Sequence, residues 1–88
     1  MAKTRFTKAD EVFRALLKEL RESRDLTQAG LAARLKQPQS YVSKYETGER
    51  RLDFVETVQV CAAVGVGIAE FAATFSAELT SARRTRGA

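Results

Sequence analysis

The chain has 88 residues, 44% of them hydrophobic, with 15 Lys and Arg against 11 Asp and Glu for a net charge of +4. That bounds it to one small domain, whose modest core favours help from a partner chain and whose basic balance suits a polyanion. With no histidine the commonest general base and metal ligand are missing, the single Cys61 excludes a disulfide within the chain, and no apolar run suits a bilayer span or an export signal.

Residues 1–6 read as a short basic tail carrying Lys3 and Arg5. Thr7 is an N-cap, with Asp10 three residues on as the acid of a capping box. Val12, Phe13, Leu16, Leu17 and Leu20 then recur at helical spacing as far as about Arg24, with Asp10, Glu11, Glu19 and Glu22 on the solvated side. Thr27 caps a second helix, Gln28 to Leu35, whose inner face is Leu31, Ala32 and Leu35. Lys36-Gln37-Pro38 is a turn, and Pro38 opens a third helix that runs to about Glu46 and stops at Gly48.

Asp53 caps a fourth helix that ends near Gly65 and turns Val55, Val58, Val60, Cys61 and Ala62 inward. The pattern makes Cys61 a buried structural thiol. A fifth helix carries Ile68, Phe71, Phe75 and Leu79 on one stripe. Residues 81–88, with Arg83, Arg84 and Arg86, read as a second basic tail. There is no strand alternation and no repeat, so the predicted fold is all-α, with five short helices and short connections. A soluble cytoplasmic protein is expected.

The third helix is the odd one. Val42 and Tyr45 are its apolar anchors, and the remainder is mostly Gln39, Ser40, Ser43 and Lys44. A helix laid in the DNA major groove needs one anchored apolar edge and an opposite edge that matches base edges. Gln suits adenine, Lys suits guanine acceptors, and Ser serves either. A solvated helix face is the competing reading of the same residues.

The segment LTQAGLAARL, a short turn, then QSYVSKYETG resembles the helix-turn-helix of the Cro and phage-repressor type of transcription regulator. The resemblance implies a five-helix lambda-repressor-like DNA-binding domain over residues 7–80, with a C-terminal dimerisation helix. It places Ala32 at a close helix crossing, with Leu31, Leu35 and Val42 filling the wedge and Tyr45 anchoring the second helix of the motif. Arg21 is expected to pair with Glu46. Gln39, Ser40, Ser43 and Lys44 are expected to meet bases, and Gln28, Tyr41, Arg50 and Arg51 to meet phosphates. Pairing of Arg50 and Arg51 with Glu49 and Asp53 is the alternative for those two. The turn departs from the family pattern, with Lys36 where Gly is usual and Gln37 where a buried aliphatic is usual. Gly30 in the helix interior costs about 1 kcal/mol relative to Ala.

The function implied is sequence-specific binding of double-stranded DNA by a dimeric repressor on a near-palindromic site. An antitoxin or a restriction–modification controller would look the same, and its signal would arrive through a partner protein or its own concentration. Phe71, Phe75 and Leu79 are the expected dimer residues, with the inner part of the stripe serving the core. A protein-interaction module that does not read DNA is the alternative. No enzyme activity, cofactor or metal is expected, because nucleophile–base pairs, metal-spaced clusters and phosphate loops are lacking.

Overall fold

Five helices follow one another in the computed structural model, which describes residues 7–87 and their side chains as far as Ala82. The expected N-terminal tail, residues 1–6, lies outside the described residues, as do Ala88 and the side chains of Arg83, Arg84 and Arg86. The helices are α1 (Lys8–Ser23), α2 (Gln28–Leu35), α3 (Gln39–Thr47), α4 (Phe54–Ala63) and α5 (Ile68–Gly87). Among the described residues there is no strand, and no single helix is long and apolar enough to cross a membrane.

The starts of α1, α2 and α4 are set by side-chain caps. The Thr7 hydroxyl accepts from the Asp10 amide at 3.1 Å. The expected return bond from Asp10 is replaced by an ion pair with Arg14 at 2.9 Å, which leaves the Asp10 carboxylate half-buried rather than solvated. Thr27 accepts from the Gly30 amide at 2.9 Å. A Cβ on Gly30 would stand 3.2 Å from that hydroxyl, so the glycine gives room for the cap to close. Pro38 occupies the N-cap position of α3 rather than its first helical residue. At α4 the Asp53 carboxylate accepts from the Glu56 amide at 2.7 Å, and the Glu56 carboxylate accepts from the Asp53 amide at 3.0 Å. This is a complete capping box.

Left-handed backbone follows each of the first four helices: Asp25, at φ 57°, after α1; Lys36, at φ 58°, at the end of α2; Gly48, at φ 89°, at the end of α3; and Gly65, at φ 86°, after α4. The α5 helix runs through Gly87, so residues 81–87 continue it instead of forming a separate segment.

The core gathers Leu16, Leu17, Leu31, Ala32, Val42, Tyr45, Val60, Cys61, Val64, Val66 and Phe71. Phe13 of α1 meets Phe71 and Phe75 of α5 edge to face, at 5.9 and 6.1 Å between centroids. The α4 phase differs from the sequence expectation. Thr57, Val60 and Cys61 face inward, Val58 is half-buried and Ala62 is exposed, and Val55 is 62% exposed. This helix is apolar on both sides, so periodicity alone leaves its rotation open, and packing selects it. Thr57 can turn inward because its hydroxyl donates to the Asp53 carbonyl at 2.8 Å, which offsets the loss of water. Phe71 also departs from expectation: it is 4% exposed, so it belongs to the protomer core and not to a dimer surface. Phe75 and Leu79 remain half-buried.

Candidate nucleic-acid interface

The 3.6-residue repeat of α3 places Gln39, Ser40, Ser43 and Lys44 on one arc, opposite Val42 and Tyr45. Val42 and Tyr45 are buried. Gln39, Ser40 and Lys44 are exposed, and Ser43 is half-buried. Thr47 falls on the same arc one turn after Ser43 and is exposed as well. Its hydroxyl donates to the Lys44 carbonyl at 3.2 Å. The sequence reading passed over it because α3 was expected to stop at Glu46.

Tyr41 and Glu46 fall on the two borders of that arc. On the Glu46 border stands a charged network. Arg21 Nε donates to Glu46 Oε2 at 2.7 Å and Arg21 Nη2 to Glu46 Oε1 at 3.1 Å. A third bond runs from Arg21 Nη1 to the Leu26 carbonyl at 2.8 Å. The two side chains are 8% and 4% exposed. The Glu46 carboxylate hydrogen bond raises the proton affinity of the Arg21 guanidinium further. The expected link between α1 and α3 is therefore present, in bidentate form.

Gln28 joins this network. Its Nε2 donates to Glu46 Oε1 at 3.0 Å, and its Oε1 accepts from Gln39 Nε2 at 3.4 Å. The amide expected to meet a phosphate is thus also a brace between the start of α2 and the start of α3. One N–H of Gln28 Nε2 and the first backbone amides of α2 remain to face an anion. Gln39 keeps its Oε1 and one N–H.

On the Tyr41 border the partners are different. Arg50, in the loop between α3 and α4, forms a bidentate pair with Glu56, at 2.7 and 3.2 Å. Asp53, weighed from sequence, adds a weaker charge interaction with Arg50. The guanidinium carbon also lies 4.7 Å from the Tyr41 ring centroid. The Arg50 hydrogen bond holds the Glu56 carboxyl below the usual glutamate range. Burial, with the nearby Glu56 charge second, raises the Tyr41 phenol. Arg51 is exposed beside this group. Glu56 was missed as a site residue. The signal for it was an acid three residues after the Asp53 cap, a spacing already used at Thr7.

The described surface therefore offers a polar, helical arc held from behind by apolar anchors and fixed on both borders by ion pairs. Residues 12–74 match a helix-turn-helix domain family. A solved structure of an XRE-family like protein from Pseudomonas syringae pv. tomato str. DC3000 is similar, at 40% identity and a TM-score of 0.73, over 76% of this chain and 82% of that one. No curated protein matches the sequence significantly.

Proposed function

The chain belongs to the helix-turn-helix domain family, and from that premise we propose that it is a sequence-specific DNA-binding transcription regulator of the Cro and phage-repressor kind. In this reading α3 lies in the major groove of a duplex. Gln39, Ser40, Ser43 and Lys44 meet base edges, while Gln28, Tyr41, Arg50 and Arg51 frame the helix on its phosphate sides. The observation that carries the reading is the α3 arc itself, with polar side chains outward and Val42 and Tyr45 fully enclosed behind them. A helix kept polar for solubility alone has no need of rigid braces along both borders.

The protein acts as a two-fold dimer and represses from a near-palindromic operator. Phe75 and Leu79 on α5 supply apolar area for that contact. An apolar groove of about 260 Å³ lies beside them, lined by Leu52, Phe54, Ile68 and Phe75 among others. Two reading helices would then stand about 34 Å apart on successive major grooves.

A second reading, a protein-interaction module of the same fold, draws on Phe54 and Val55, which are 70% and 62% exposed side by side at the start of α4. Selection of bound duplexes from a random library at about physiological salt, followed by sequencing, separates the two. Enrichment of a two-fold symmetric sequence supports the regulator. Weak affinity that is equal for all duplexes, with no enrichment, supports the interaction module.

A further inference from the structure

We infer that Arg50 acts on DNA through Tyr41: it is a positioning residue, fastened by Glu56, that fixes the Tyr41 ring so that its hydroxyl meets one phosphate. This rests on the DNA-reading function proposed above.

The Arg50 guanidinium is held at several points. Its Nη2 donates to Glu56 Oε2 at 2.7 Å, and its Nη1 donates to Glu56 Oε1 and to the Arg51 carbonyl, both at 3.2 Å. Its central carbon lies over the Tyr41 ring, 4.7 Å from the centroid. Glu56 is itself anchored, because its Oε1 also accepts from the Asp53 amide in the α4 capping box. The Tyr41 ring meets a second wall in Tyr45, edge to face at 5.8 Å and 83°. Tyr45 is enclosed in the core. The ring thus sits between a buried aromatic and a fastened cation, at the border of the α3 arc and next to Ser40.

Charge and shape give the division of labour. A guanidinium closed into a bidentate carboxylate pair has its charge neutralised nearby and presents little net field to a phosphate. Its planar fork can hold Glu56 and stack on Tyr41 at once, which a lysine ammonium cannot do. Tyr41 needs only one hydroxyl to bond a phosphate oxygen, and holding its ring beforehand removes the ordering entropy that binding would otherwise cost.

The test compares the parent with Arg50→Ala, Arg50→Lys, Tyr41→Phe and the Arg50→Ala/Tyr41→Phe double variant. Each is titrated with an enriched duplex over a salt series, well below its melting temperature. Arg50→Ala and Tyr41→Phe should each weaken binding about 5- to 10-fold, the range of one hydrogen bond. The salt slope should stay unchanged, lysine should not rescue, and the double variant should bind no more weakly than either single one. A purely structural role for Arg50 would weaken binding equally in the Tyr41 and Phe backgrounds, and that overturns the inference. A slope flattened by about 0.9 per lost contact also overturns it, since Arg50 would then grip a phosphate directly. If Arg50→Ala fails to fold, Arg50→Gln takes its place in the same cycle, with the same outcomes. A parent that lacks salt-dependent duplex binding overturns the DNA-reading function instead.

Discussion

Cys61 sits fully enclosed on the inner face of α4, and burial pushes its thiol up to about 11, from an ordinary value of 9.0. The folded state therefore prefers the protonated thiol. Its contribution to stability is complete below about pH 9 and is lost as pH rises toward about 11. The melting temperature should fall across that window, and Cys61→Ala should remove part of the fall. A thiol reagent at pH 8 should react only as fast as the protein opens, and rapid labelling of the native protein would refute the enclosure. Lys36 carries a different residue-scale consequence. At φ 58° a side chain with a Cβ costs about 1 kcal/mol or more. Lys36→Gly should therefore raise the unfolding free energy by about 0.5–1 kcal/mol in a denaturant titration, after the greater freedom of an unfolded glycine is allowed for. A lower midpoint would count against strain at this turn. The departure from the family pattern at Lys36 was visible in the sequence. That the backbone keeps the left-handed turn, instead of relaxing away from it, was not.

At the scale of elements, the Arg21–Glu46 pair ties α1 to α3 while Gln28 ties α2 to α3. Glu46→Ala would leave a nearly enclosed guanidinium without its carboxylate and Gln28 without its acceptor. The loss should be about 3–5 kcal/mol, enough to lower the melting temperature by more than ten degrees in a domain of this size, at roughly 4–8 °C per kcal/mol. Equal melting of variant and parent would show that the pair does not brace the motif. Helix existence was legible because Thr7, Thr27 and Asp53 cap in the way their side chains allow, and Gly48 stops α3 where a left-handed residue is needed. The rotation of α4 was not legible. Val55, Val58 and Ala62 are as apolar as Val60 and Cys61, so the sequence carries no contrast between its faces. Only the docked neighbours and the Thr57–Asp53 hydrogen bond distinguish them. Asp10 shows the same limit. Its spacing from Thr7 fits a capping box, but the nearby Arg14 offers a stronger partner.

For the whole molecule, the unspent apolar surface is the informative quantity. Phe71 is used up inside the protomer, whereas Phe54 and Val55 stand exposed and Phe75 and Leu79 half-exposed. Sedimentation at tens of micromolar should give a dimer, and Leu79→Asp should shift it to monomer while α1–α4 stay folded by circular dichroism. A parent that sediments as a monomer at that concentration would remove the two-fold operator from the proposal. The polar arc of α3, except for Thr47, was legible in the sequence, because a short helix with two apolar anchors has only one way to turn its polar side outward. Its borders were not, because Arg50 meets Glu56 and Tyr41 only after the chain has turned between α3 and α4.

Base reading by α3 is tested most directly by the affinity of the parent and of Gln39→Ala for the enriched duplex and for each single-base-pair variant of it, at fixed salt. Direct readout requires that Gln39→Ala lose about 1–3 kcal/mol on the enriched duplex and become indifferent at one base-pair position while keeping its preferences elsewhere. Equal weakening on enriched and random duplexes alike would contradict it and leave α3 as a charged face without sequence information.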